Sequence, residues 1–171
     1  MENKKDYDWN ATAFFESLTR ENRLANKLGA TFCRVSGLEG FEEALANMQS
    51  TMTFVCVSEL SQGVTTLSPS PKTRRVKTVF LAMRHSVDDM VARQNCFDTL
   101  RELFRQFMSR LILEKTALEE HFLYLDGSIQ FEEIQQYFFS GCACAYFLVS
   151  VDNMTNLCYD ENEWISRTTG N

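Results

Sequence analysis

TFVCVSEL (residues 53–60), SQGVTTLSPSPKTRR (61–75), VKTVFLAMRH (76–85) and SVDDMVARQNCFDTLRELFRQFMSRL (86–111) form the stretch whose reading decides the fold. The first and third pieces are short apolar runs rich in β-branched and aromatic residues, as strands are. The second is polar and holds both prolines and a run of basic residues. The fourth carries Met90, Phe97, Leu100, Phe104, Phe107 and Leu111 at helical spacing, with Leu103 and Met108 widening the stripe, over about seven turns. Together they predict a hairpin with a protruding tip, backed by one long amphipathic helix.

A strand is expected over Arg75–Arg84, and its alternation sets Val76, Thr78, Phe80, Ala82 and Arg84 on one face and Lys77, Val79, Leu81 and Met83 on the other. Both faces are apolar in the middle, so that strand is expected to be covered on both sides there. The connection of about fifteen residues is long for a hairpin, and loops of that length in compact domains carry function or lack order. The pattern S-x-x-D at Ser86 and Asp89, a shortened capping box, places the helix start at Ser86.

Working outward, a first helix is expected from Asn10, a good N-cap, to Leu28. Phe14, Leu18, Ala25 and Leu28 share one face, with Glu16, Arg20 and Arg23 off it, and Gly29 is the stop. Thr31–Val35 reads as a short strand turned by Ser36-Gly37. In Leu38–Gln49, Phe41, Ala44, Leu45 and Met48 fall at i, i+3, i+4 and i+7, which predicts a short amphipathic helix. After Glu114 the long helix either persists or breaks. His121–Leu125 reads as a strand ended by Asp126-Gly127, Ser128–Ser140 stays open between strand and irregular chain, and Cys142–Val151 is a strong strand. Asp152-Asn153 turns the chain towards a last short run ending at Trp164. The expectation is one α+β domain over residues 1–171: a mostly antiparallel sheet with the helices against one face. The ends, 1–8 and 165–171, are read as frayed, and 61–74 as a protruding loop.

Apolar residues are 44% of the 171 and aromatics 12%, enough for a well-packed core in a single domain. The net charge of −6 works against nucleic acid and anionic membranes as partners. No apolar run reaches about 18 residues, and the N-terminus MENKKDYDWN lacks the apolar centre of a signal peptide. A soluble, cytoplasmic chain without a membrane partner is expected.

Cys33, Cys56, Cys96, Cys142, Cys144 and Cys158 lie mostly inside apolar runs and read as reduced core residues. Cys142 and Cys144 point to one face of their strand and could supply two zinc ligands, but no second pair of that kind follows, so neither metal nor cofactor is expected. A thiol nucleophile with His85 or His121 as base lacks a cysteine at a predicted helix start. Asp88-Asp89, Glu119-Glu120, Glu132-Glu133 and Asp160-Glu161 are adjacent acids, which on a helix point apart. No GxxxxGK[ST], GxGxxG, HExxH or GxSxG string occurs. These residues give no support to an enzyme. The remaining candidates are Lys72, Arg74, Arg75 and Lys77, either as charges guarding a hairpin edge or as a docking surface for carboxylates or phosphate.

The order helix, strand, short helix, strand, loop, strand, long helix, strand, strand, carried by FFESLTRENRLANKL, TFVCVSEL, VKTVFLAMRHSVDDMVARQNCFDTLRELFRQF and GCACAYFLVSVDN, resembles the tail terminator, or tail completion, proteins of tailed bacteriophages and related injection machines. The resemblance implies a structural virion-assembly protein without catalytic residues. It would form a ring, usually hexameric, that caps the tail tube and receives the neck. Its partners would be further copies of itself and the tail-tube and neck proteins, met in the host cytoplasm and then in the virion tail. Lys72, Arg74, Arg75 and Lys77 would be contacts to the next subunit or partner. The alternative is a cytoplasmic regulatory module that binds a ligand or peptide on the helix-backed sheet; a thiol enzyme is a third.

Overall fold

The computed structural model describes residues 9–136 and 139–165. The expectation of frayed ends therefore falls almost wholly outside the described residues, and Ile165 alone of the C-terminal stretch is seen, exposed. The element order is α1 (Ala11–Glu21), α2 (Arg23–Lys27), β1 (Thr31–Val35), α3 (Leu38–Asn47), β2 (Thr53–Ser58), β3 (Gln62–Thr66), β4 (Lys72–Arg84), α4 (Met90–Glu119), β5 (Leu123–Leu125), β6 (Phe131–Glu133) and β7 (Cys142–Met154), then a 3-10 turn, Glu161–Glu163. The α+β class holds.

The first helix differs from its reading because of Asn22. Asn10 caps α1 through Ala13 N–H at 2.9 Å, as expected, but Asn22 is extended and caps α2 in the same way through Ala25 N–H at 2.8 Å. Asparagine side chains compete for backbone donors, and here the competition splits one helix into two. The Asn22 amide also donates to Gln106 Oε1 of α4 at 2.9 Å, which fixes the break against the long helix. Gly29 ends α2 at φ 61°, a left-handed conformation that glycine takes without strain.

The long helix starts at Met90, not Ser86. Asp89 is the N-cap, accepting from Ala92 N–H at 2.8 Å. Met90 consequently sits in the first turn and is exposed, outside the stripe assigned to it. The helix continues to Glu119, about 45 Å of rod for 30 residues. Its buried stripe is Cys96, Phe97, Leu100, Leu103, Phe107, Leu111 and Leu118. Phe104 is half-buried, tilted against Phe131 and edge-on to Phe147, with centroids 4.5 and 5.2 Å away. The open stretch 114–140 thus resolves into the end of α4, β5 and β6, with residues 137–138 outside the description. β6 is held to α4 by a bidentate Arg101–Glu133 pair at 2.6 and 2.9 Å.

Among the described residues seven strands form one sheet, with the path β1-β2-β4-β7-β5; β3 adds to β4 and β6 to β7. Only the β1–β2 pair is parallel, with α3 as its crossover. The 13-residue strands β4 and β7 pair along their whole lengths, Lys72 opposite Met154 to Arg84 opposite Cys142, and form the spine. The register divides the side chains into two layers. Val55, Val57, Val79, Leu81, Phe147 and Val149 face α1 and α4, where Phe15 sits 5.7 Å from Phe147 and 6.2 Å from Phe107. Phe54, Cys56, Phe80, Ala82 and Cys144 face α3, whose Phe41 stacks on Phe80 at 4.4 Å. The helices therefore lie on both faces, not one. The physical reason is the parallel β1–β2 pair: its crossover must pass over a face, and the other is already filled by α1 and α4.

Candidate interaction surface

The predicted loop 61–74 is a strand pair. β3 runs antiparallel to the first residues of β4, Gln62 opposite Val76 through Thr66 opposite Lys72, and residues 67–71 connect them. The strand expected from Arg75 accordingly begins at Lys72. Alternation of threonine, valine and long side chains suits an exposed strand as well as a loop, and pairing along β7 settles the choice.

β2 and β3 lie end to end along the same edge of β4, β2 on Val79–Met83 and β3 on Lys72–Val76. Between them, at Glu59–Ser61, the ladder is interrupted, and carbonyls need other donors there. Lys77 supplies them: its Nζ donates to the Ser58 carbonyl at 3.0 Å and to the Glu59 carbonyl. Thr78 N–H donates to Ser58 Oγ at 3.0 Å.

The four basic residues do not make one patch. Pairing with β7 sets Lys72 and Arg74 on the α3 face and Arg75 and Lys77 on the α1/α4 face. Lys72 Nζ meets Asp152 Oδ2 at 2.9 Å. Arg74 forks onto the same carboxylate at 2.6 and 3.2 Å and reaches Asp126 at 3.3 Å. Asp152 is 8% exposed. The hydrogen bonds from Arg74, then those from Lys72, hold its carboxyl below the ordinary carboxylate range against the opposing effect of burial. The carboxylates proposed to come from a neighbouring subunit thus have counterparts within the chain. Arg75 and Lys77, with Trp9, Asn10, Leu123 and Asn153, border a cavity of about 470 Å³ at the start of α1.

What the distal half of the sheet presents instead is an edge and a face. All five residues of β3 are exposed, and among the described residues no strand pairs with its outer edge. Val64 within it is 68% exposed, and Leu60 and Leu67 beside it are 71% and 75% exposed. α3 packs over Phe54, Phe80 and Cys144, while Leu38, Leu60, Val76 and Leu148 border an open groove of about 570 Å³ beyond it. Asp126 and Asp152 were expected only as turn residues, yet β7 runs on through Asp152 to Met154 because β4 pairs with it there; their ion pairs and the edge of β3 were not foreseen. The one signal was an acid, Asp152, directly after the apolar run of β7.

Cys56, Cys96, Cys142 and Cys144 are buried and Cys33 is part-buried, whereas Cys158 is exposed and is not the core residue it was expected to be, since it follows the last strand in irregular chain. Cys142 and Cys144 are buried in the α3-side core. Among the described residues, no group of three or more His, Cys, Asp or Glu side chains is placed to hold a metal ion, and no helix is long and apolar enough to cross a membrane.

Compared with known proteins, the chain matches no family model, and no curated protein matches its sequence.

Proposed function

We propose that this chain is a structural subunit that assembles through the distal end of its sheet into a homo-oligomeric ring, the ring that caps a phage tail tube and joins it to the neck. The observation that carries the reading is the β3 edge: five consecutive exposed strand residues, Val64 among them, whose outer edge no strand pairs among the described residues, flanked by exposed Leu60 and Leu67. Such an edge is a template for a strand of another chain, and soluble domains ordinarily blunt it with charge, proline or a bulge. Gln62-Gly63-Val64-Thr65-Thr66 has neither a charge nor a proline. In a ring each subunit offers one surface to a different surface on the next, so a single projecting edge per subunit suits a head-to-tail contact. Assembly would take place in the host cytoplasm and end in the virion tail. Lys72 and Arg74, tied to Asp152, hold the hairpin in shape on this reading, and contact with the neighbour falls to β3.

Mass measured by light scattering tests it. Wild-type chain should form a closed oligomer, alone or with tail-tube protein, and the double substitution Val64→Lys, Leu67→Lys should leave folded monomer that melts where dilute, dissociated wild type does. The reading fails if wild-type chain stays monomeric at every concentration with tail-tube protein present, or if the double variant forms the same oligomer. The groove at Leu38, Leu60, Val76 and Leu148 favours a second reading, a regulatory module that binds an apolar peptide and remains monomeric.

A further inference from the structure

Cys33 and Cys56 stand directly opposite each other in the parallel β1–β2 pair. Register partners point to the same side of a sheet, and both thiols lie on the α3 side. Cys56 is buried, whereas Cys33, on the terminal strand of the sheet path, is part-exposed beneath Met48, with Sγ 3.7 Å from the Met48 sulfur.

We infer that Cys33 and Cys56 are a dithiol that a hydroperoxide converts to a disulfide, stapling the terminal strand β1 to β2. Neighbouring strands lie about 4.8 Å apart, inside the Cα separation of roughly 4.4 to 6.8 Å that a disulfide spans. The competing pair is less well placed. Cys142 and Cys144 are two residues apart on one strand, a Cα separation of about 6.7 Å at the limit of that range, and both are fully buried.

The two thiols differ in the way the chemistry needs. The facing Cys56 thiol lowers the Cys33 thiol to about 7, outweighing the burial that raises it, while the Cys56 thiol is raised by its interaction with Cys33 and by burial. Cys33 is thus the thiolate and Cys56 the proton-bearing partner. The Cys33 thiolate attacks one peroxide oxygen: an S–O bond forms, the O–O bond breaks, and the leaving hydroxide takes up a proton to give water. Cys33 is now a sulfenic acid, oxidised by two electrons. The Cys56 sulfur attacks it, forming S–S and breaking S–O, and the second water leaves with the Cys56 proton. Two thiols and one hydrogen peroxide give one disulfide and two waters. In a reducing cytoplasm the pair stays open, and it closes where hydroperoxide outruns reduction.

The test uses the full chain carrying Cys158→Ser, which removes the exposed thiol that would otherwise cross-link chains. After treatment with hydrogen peroxide and alkylation, mass spectrometry should show the loss of two hydrogens and a joined peptide pair containing Cys33 and Cys56. The melting temperature should rise by about 5 to 10 °C and return on reduction. Cys33→Ser should abolish both changes. Because Cys56→Ala could disturb the core, the peptide map of the otherwise unaltered chain decides the question. A bond between Cys142 and Cys144, or Cys33 found as sulfinic acid with Cys56 still alkylatable, overturns the inference.

Discussion

Asp152 does at the distal end of the sheet what apolar packing does nearer α3. It sits nearly buried between the two half-exposed cations Lys72 and Arg74, and its carboxylate adds side-chain ties to the backbone ladder that pairs the start of β4 with the end of β7. Asp152→Asn should cost about 1 to 3 kcal/mol, the usual worth of hydrogen bonds to a charged group. The folded carboxyl is held below its unfolded value of about 3.9, so its contribution is fully present above that value and is lost as pH falls through the lower, folded one. Urea titrations should therefore show a gap between wild type and Asp152→Asn that is constant from neutral pH to about pH 5 and narrows below about pH 4. Lys77 plays a different part, as donor to the carbonyls of Ser58 and Glu59 where β2 gives way to β3. Lys77→Met keeps the aliphatic stem but orphans those carbonyls, and should lower stability by about 1 to 3 kcal/mol with little dependence on salt.

At the scale of elements, α4 carries the larger core layer, and its residues are unequal. Phe107 is 1% exposed and packs on Phe15, whereas Phe104 lies at the margin against Phe131. Phe107→Ala should cost about 3 to 5 kcal/mol, a large share of the roughly 5 to 15 that a domain of this kind has, and Phe104→Ala clearly less. Equal melting temperatures for the two variants would show that the layer does not end where Phe104 sits. The hairpin obeys a different logic. Excising 62–75 would be nearly neutral for a free loop, but here it removes Lys72 and Arg74 and leaves the Asp152 carboxylate buried without them. The excision should destabilise the chain, which is why the substitutions on β3 are the cleaner probe of assembly.

For the whole molecule, a proximal half is sealed on both faces, by α3 on one side and by α1 and α4 on the other, and a distal half is open on one face and along one edge. If the open half is where copies meet, folding and association are linked, and the melting temperature should rise with protein concentration for wild type but not for Val64→Lys, Leu67→Lys. A melting temperature independent of concentration in both would separate the edge from any stabilising contact.

The sequence by itself determined the elements whose cause is local. Period-2 and period-3.6 apolar patterns specify β2, the middle of β4, α3, the α4 stripe and β7, because each needs only its own residues to present an apolar face. The cap at Asn10 and the stop at Gly29 were legible for the same reason. Tertiary structure alone decided the rest. Asn22 can cap as well as continue a helix, and its contact with Gln106, 84 residues away, holds it as the cap that breaks the helical pattern. The segment 61–75 became a strand pair because β7 is long enough to template β4 from its first residue, and that register, invisible in composition, sent Lys72 and Arg74 to one face and Arg75 and Lys77 to the other. Charge on a sequence is additive, but the direction of a side chain depends on the strand that pairs with it. A basic run therefore reads as one patch on paper and folds into a pair of half-exposed cations around a buried carboxylate on one side and a carbonyl clamp on the other.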